Sequence, residues 1–336
     1  RQPAIEEVIV TAQRRSESLQ DVPIAVTAMT GEMLEAKQVI TFSDMQMNAP
    51  NVSFTSTNFG SNSLSIRGIG RLVTAGTGDP GVSVHTNEVA LGPNLSTTEF
   101  YDMERVEVLR GPQGTLYGKN ATGGVVNFVT KMPDFEGFSG FIDGEYGDYD
   151  NRRFKGAMNF TLSDTFAIRI AGMALQRDGY TDNLAAGQVG LDGRVLEGIN
   201  DTVDGRDILD YRITARWQPT DRTNIWVMYN RFDEDDDRAR ITNQVCTRGS
   251  VPTYGCVDSE TAFETPNLVA TFDSLTAGLY GLVPFDPDLG GNYNWPRPQV
   301  GLRSMHTDFQ PVFKNEIDTV TFGASHEFDK VTVSVI

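Results

Sequence analysis

From residue 133 onward, apolar and polar side chains alternate with a period of two. In 138–147, Phe138, Gly140, Ile142, Gly144 and Tyr146 share one face; Ser139, Phe141, Asp143, Glu145 and Gly147 share the other. In 153–162, Phe154, Gly156, Met158, Phe160 and Leu162 oppose Arg153, Lys155, Ala157, Asn159 and Thr161. In 209–218, Leu209, Tyr211, Ile213, Ala215 and Trp217 oppose Asp210, Arg212, Thr214, Arg216 and Gln218; Val320, Phe322, Ala324 and Phe328 oppose Thr319, Thr321, Ser325 and Glu327 in 319–328. This is the period of β-strands. Six such strands and the start of a seventh at Val331 can be traced. They meet through tight turns at Ser163-Asp164, at 219–222 and at Asp329-Lys330, and through long polar stretches at about 179–207 and 235–313. Short and long connections on opposite ends are the habit of outer-membrane barrels, whose apolar face meets lipid and whose polar face lines the lumen. That reading puts Phe160 and Ile213 on lipid and Asn159 and Arg212 in the lumen, so that an Arg replacing Asn159 is expected to be tolerated. A soluble sandwich is the rival, with its apolar face turned inward.

Residues 21–132 follow another pattern and predict a compact α+β unit. Val22 to Met29 reads as a strand. Thr30 caps a short helix with Met33 and Leu34 on its inner face, and Phe42 to Met47 forms a second one with Ser43 as candidate cap. Strands follow at 50–54, 64–70 and in a hairpin over 82–92. Arg105 to Leu109 alternates as a strand with one charged face, Val125 to Val129 is an apolar strand, and between them Gly111, Pro112, Gly114, Gly118, Gly123 and Gly124 force tight turns.

The run from Asp102 through Arg110-Gly111-Pro112-Gln113-Gly114-Thr115-Leu116-Tyr117-Gly118 to Lys131 strongly resembles the end of the plug domain of TonB-dependent outer-membrane receptors. Ile66-Arg67-Gly68-Ile69 carries the same likeness. One departure stands in the 82–92 hairpin: the family usually has Asp-Gly in its turn, whereas this chain has Asn87-Glu88, and Glu is ill suited to φ > 0. The resemblance implies a mobile N-terminal segment over 1–20, a plug over 21–132 and the beginning of a transmembrane antiparallel barrel over 133–336. Such barrels have 22 strands around a plugged lumen, and an open edge is not viable in lipid, so the six or seven strands here are expected to be part of a longer wall.

Composition narrows the alternatives. The 336 residues hold 39% hydrophobic and 10% aromatic side chains, which excludes disorder. No run approaches the ~18 apolar residues of a transmembrane helix, which leaves a barrel open. Net charge is −17, with 10 basic and 13 acidic residues in 1–132 and 18 and 32 in the remainder. That balance argues against nucleic acid, which needs a basic stripe. Gly118-Lys119 lacks the flanking residues of a phosphate loop, Gly68-Ile69-Gly70 does not extend to a dinucleotide fingerprint, and no serine elbow appears. The three histidines are scattered and no metal site is expected. No enzyme activity and no cofactor are implied. Arg1-Gln2-Pro3-Ala4 reads as a processed N-terminus.

Site residues are then expected as follows. Glu6-Glu7-Val8-Ile9-Val10-Thr11-Ala12, with β-branched residues and no neighbouring strand, suits addition to a partner's sheet edge and resembles the TonB box. The implied partner is TonB with its inner-membrane energising complex, besides outer-membrane lipid and an unidentified small or oligomeric ligand. Ligand contacts are expected at outward loops, with Asn58, Phe59, Asn62, Arg71, Thr74, Asp79 and Asn94 as candidates. Arg67, Arg105 and Arg110 of the plug are expected to pair with lumen-facing Asp143, Glu145, Asp210 and Glu327. In an exported protein Cys246 and Cys256 are expected to form a disulfide in an extracellular loop, worth ~2–3 kcal/mol by chain entropy. The implied function is TonB-dependent import of a scarce ligand — siderophore-iron, a vitamin, or a saccharide or other nutrient — across the outer membrane of a Gram-negative bacterium. A passive plugged-barrel binding protein or adhesin and a soluble β-rich binding module are the alternatives.

Overall fold

The computed structural model describes residues 8–12, 14–15, 17–56, 62–70, 80–90, 99–183, 186–187, 195, 198–238, 304–305 and 310–336. Two short strands open the chain, β1 (Ile9–Val10) and β2 (Glu17–Ser18), paired antiparallel. The N-terminal unit is built on a five-stranded mixed sheet. Its strands are β3 (Val26–Thr30), β7 (Val82–Thr86), β8 (Val89–Ala90), β9 (Met103–Arg110) and β10 (Gly124–Thr130), in the order β3-β9-β10-β7-β8. Only β10 and β7 run parallel. A second, three-stranded sheet holds β4 (Val52–Ser56), β5 (Asn62–Ile66) and β6 (Ile69–Gly70).

Alternation along β9 sorts two faces. Val106 and Val108, with Val126 and Phe128 of β10, bury one face against helices α1 (Gly31–Ala36) and α2 (Phe42–Asn48). Phe42 is the hub there, with its ring 4.9 Å from Phe128 and 5.5 Å from Phe100. Arg105, Glu107 and Leu109 point the other way. Thr30 does cap α1, accepting from the Met33 N–H at 3.3 Å. Leu34 is buried, but Met33 is exposed rather than inward. The cap of α2 is Thr41 and not Ser43: the Asp44 carboxylate accepts from both the N–H and the hydroxyl of Thr41 at 2.8 Å. The glycine-rich stretch holds one unexpected helical turn, α3 (Gly114–Tyr117). Gly124 has φ +153, and a Cβ there would run into the Leu109 carbonyl, so the β9–β10 junction needs glycine.

Seven long strands form one antiparallel sheet: β11 (Ser139–Gly147), β12 (Asn151–Ser163), β13 (Phe166–Arg177), β16 (Arg206–Thr220), β17 (Thr223–Asp236), β19 (Phe313–Glu327) and β20 (Thr332–Val335). The long connections contribute a further small sheet of β14 (Thr181–Asn183), β15 (Thr202–Val203) and β18 (Ser304–Met305), which alternation did not reveal. Phe160 lies opposite Ile168 and Ile213 opposite Tyr229. Phe154, Leu162, Trp217, Val227 and Phe322 are exposed, whereas Asn159, Arg169, Arg212 and Phe232 are buried toward the N-terminal unit. The faces are therefore those the alternation predicts. Asn159 is a correction in one respect. It is fully buried, accepts the Asp134 N–H at 3.1 Å and donates to the carbonyls of Asp134 and Gly137. An Arg there would break these bonds to the segment that leads into β11, so the expected tolerance does not follow. No helix among the described residues is long and apolar enough to cross a membrane, which says nothing of a strand barrel.

Candidate functional site

The charged face of β9 is occupied by the start of the chain. Val10 and Ala12 are fully buried against Leu109, Tyr117, Ala121 and Val125. Thr11, between them, meets Glu107 on the same face of β9, and that carboxylate is fully buried. The Thr11 N–H donates to Glu107 Oε1 at 2.7 Å, and its hydroxyl lies 3.1 Å from both carboxylate oxygens. Glu107 also accepts from Arg105 Nε at 2.7 Å and from Asn127 Nδ2 at 3.3 Å. The Tyr117 hydroxyl donates to the carbonyls of Thr11 and Ala12 at 3.3 and 3.4 Å. Arg14 stacks over the Tyr117 ring, 5.4 Å from its centroid. Burial pushes the Tyr117 phenol well above its usual range, so it stays a donor.

This corrects the expectation of a mobile segment without a neighbouring strand. Val8 to Ala12 has one, because Ile9 and Val10 pair with Ser18 and Glu17 and the Leu19 N–H donates to the Val8 carbonyl at 2.9 Å. Glu6 and Glu7 lie outside the described residues. The Arg105/Glu107 face was legible as charged; that Thr11 docks on it was not, since nothing local in the sequence points from residue 11 to residue 107.

The seam between the N-terminal unit and the seven-stranded sheet has the opposite polarity to that expected. Arg105 pairs with Glu104 and Glu107 of its own unit. Arg67 sits in the β5–β6 turn at φ +54 and is exposed. Arg110 Nε is buried without a hydrogen-bond partner among the described residues. Asp143 and Glu145 pair with Lys155 and Arg153 on the adjacent strand, at 3.3 and 2.8 Å. The Glu327 N–H donates to the Arg222 carbonyl, and no ion pair of its side chain occurs among the described residues. Of the expected pairs only Asp210 meets the N-terminal unit, by accepting from the Tyr101 hydroxyl at 2.8 Å.

Carboxylates come instead from the N-terminal unit and cations from the sheet. Asp102, at φ +50 just before β9, takes Arg169 in a two-pronged contact, Nε at 2.8 Å and Nη2 at 2.5 Å. Arg212 Nη2 reaches the Asp102 carbonyl at 3.2 Å and its carboxylate at 3.5 Å. Arg169 and Arg212 are 7% and 4% exposed. Arg153 pairs with Glu99 at 3.1 Å, and burial raises the Glu99 pKa despite that cation. Arg216 donates to the Pro133 carbonyl at 3.0 Å and lies over the Phe135 ring. Alternation had placed Arg212 and Arg216 on the inner face but could not say what they meet.

Of the ligand candidates, Asn58, Phe59, Arg71, Thr74, Asp79 and Asn94 lie outside the described residues, and of Asn62 only the backbone, at the start of β5, is described. Cys246 and Cys256 lie outside them as well. No metal-holding group of side chains occurs among the described residues.

Residues 18–125 match the family model described as TonB-dependent Receptor Plug Domain. The chain is 30% identical over 184 residues to the iron-regulated outer membrane virulence protein of Vibrio cholerae, covering 52% of this chain and 28% of that protein. It is 37% identical over 121 residues to the pesticin receptor of Yersinia pestis, covering 34% and 17%. The crystal structure of the ferric yersiniabactin uptake receptor from Yersinia pestis superposes with a TM-score of 0.64 at 19% identity, over 91% of this chain and 39% of that one. The ferripyoverdine receptor of the Pseudomonas aeruginosa outer membrane gives 0.60 at 15%, over 96% and 34%. The chain thus spans less than a third of the length of these two relatives by sequence. The N-terminal unit is a TonB-dependent receptor plug domain, and the seven-stranded sheet has the fold of the barrel wall that follows the plug in these outer-membrane receptors.

Proposed function

We propose that the protein imports a scarce ligand, an iron–siderophore complex, by a cycle driven through TonB. The relatives named above are an iron-regulated outer membrane protein, a pesticin receptor, and receptors for ferric yersiniabactin and for ferripyoverdine. The observation that carries the mechanism is the seating of Val8 to Ala12 on β9. An extended, β-branched segment at the front of the plug is a handle that a partner can take by strand addition. A pull on Thr11 acts on Glu107 and so on β9. At the other end, just ahead of β9, Asp102 holds the barrel wall through Arg169 and Arg212. Force applied at the handle is thus resisted at the wall, and the plug between them is what must rearrange to open the lumen. Asn58, Phe59, Asn62, Arg71, Thr74, Asp79 and Asn94 are the proposed ligand contacts. The energy source is the inner-membrane proton gradient.

The test is uptake by cells that carry the complete receptor, with and without TonB. Native mass spectrometry of material bound to the purified receptor identifies the ligand. Uptake that vanishes without TonB while surface binding persists is expected. Uptake independent of TonB would leave a passive binding protein instead.

A further inference from the structure

The two long connections of the wall, from β13 to β16 and from β17 to β19, leave the end of the sheet opposite its tight turns. Their feet lie side by side, because β16 and β17 are neighbours. Asp237, one residue beyond β17, accepts the Gly205 N–H through Oδ1 at 2.6 Å, and its carbonyl accepts the Asp204 N–H at 3.3 Å. Its Oδ2 accepts from Asn200 Nδ2 and from Gln310 Nε2, both at 3.3 Å. The Asn200 N–H in turn donates to Gln310 Oε1 at 2.7 Å. One carboxylate thus gathers the returning leg of the first connection and the returning leg of the second. Further out along the chain the two meet again, where β14 pairs in parallel with β18 and Asp182 stands opposite Ser304.

The residues around this junction are fitted to it. A Cβ on Gly205 would lie 2.8 Å from Asp237 Oδ1 and 3.3 Å from the Arg177 carbonyl, so a larger residue displaces the carboxylate. Gly179 lets the two legs of the first connection touch, since a Cβ there would run into the Val203 backbone. Asp204 stands at φ +69, a backbone conformation that persists where the surroundings impose it. Thr181 Oγ1 donates to its carboxylate at 2.8 Å and Arg177 Nη2 to its carbonyl at 2.5 Å. Beneath the junction, Arg206 and Arg238, which follow Gly205 and Asp237, share buried carboxylates. Glu234 lies 3.0 Å from Arg206 Nη2 and 2.9 Å from Arg238 Nη2, and Asp236 lies 3.2 Å from Arg238 Nε.

We propose that Asp237 makes the feet of the two long connections one body, so that a contact that orders or displaces either connection acts on both. This goes beyond the import reading and holds whether or not TonB drives the protein. It rests on a single carboxylate with donors from both connections, and on a glycine whose missing side chain leaves room for that carboxylate.

The experiment is hydrogen exchange on the complete receptor, read by mass spectrometry, with Asp237→Ala and Gly205→Ala. Peptides containing 181–183 report the first connection and peptides containing 304–305 the second. Bonds to a carboxylate are among the stronger ones, so their loss should accelerate exchange in both peptides about tenfold and by the same factor. Gly205→Ala should reproduce the effect with Asp237 in place. Amides of the β12–β13 pair should keep the parental rate, which shows that the wall is assembled. Asp237→Asn, which keeps the volume and one accepting oxygen, should fall between parent and Asp237→Ala, and it carries the test where Asp237→Ala yields no assembled receptor. Acceleration confined to one of the two peptides would show two independent connections and overturn the proposal. Less than threefold acceleration in both, or parental rates in Gly205→Ala, would overturn it as well.

Discussion

Replacing Asp102 by Asn removes one charge and almost no volume, and Asn accepts the left-handed backbone that Asp102 adopts at φ +50. The perturbation is therefore confined to electrostatics. Two guanidiniums, Arg169 and Arg212, lose their shared carboxylate while 7% and 4% exposed. Breaking a buried pair by removing one partner costs ~3–5 kcal/mol, because the remaining charge is uncompensated. Arg212 keeps the Asp102 carbonyl and its place over the Tyr101 ring, so the lower end, about 3 kcal/mol, applies. Hydrogen exchange at the β9 and β10 amides in the assembled receptor reads this directly. Those strands are the plug's centre and should exchange only by its cooperative opening. A loss of about 3 kcal/mol accelerates that exchange roughly a hundredfold. Adding Arg169→Gln and Arg212→Gln to Asp102→Asn should return part of the loss, since no buried charge is then left unmatched. Acceleration of less than threefold for Asp102→Asn would mean that the seam behaves as a solvated surface pair, and the reasoning would fail.

Other outcomes follow from the same geometry. Phe322 is 52% exposed on the outer face and its neighbour Thr321 faces inward; Phe322→Arg should impair assembly by ~2–4 kcal/mol if near the bilayer midplane, and Thr321→Arg far less, judged by yield of heat-modifiable receptor in outer membranes. Burial lowers the His85 pKa below 6.5, so its contribution to plug stability is present above that value and lost as pH falls through the lowered one. His85→Gln should accordingly show a smaller loss of plug stability than the parent between pH 7 and 5, and an unchanged pH slope would count against that assignment. Non-reduced peptide mapping of freshly isolated receptor should show Cys246 joined to Cys256; two free thiols would rule the bridge out.

How much the sequence discloses depends on whether the information is periodic. Alternation placed Phe160 and Ile213 outside and Asn159 and Arg212 inside, because a strand's period is fixed and a slip of one residue would exchange whole faces. The run from Asp102 to Gly118 carried the family. Alternation could not give the sign of the seam, since it tells which way Arg212 points and not that Asp102, on an irregular residue ahead of β9, is what it meets. Ser43 is a candidate cap by residue type, whereas the bonds between Thr41 and Asp44 decide the helix start. The docking of residues 8–12 was hidden for the same reason as the seam. Thr11 and Glu107 are 96 positions apart, and a two-residue strand has too few side chains to announce its partner.

Val8 to Ala12 is proposed as the handle by which the plug is driven. Its most direct test is Val8→Pro in the complete receptor, comparing ligand binding at the cell surface with accumulation in the periplasm. Proline removes the Val8 N–H and resists addition of a partner strand, but changes none of the proposed ligand contacts. Unchanged binding with uptake reduced to the level seen without TonB is the predicted result; uptake at the parental rate would contradict it.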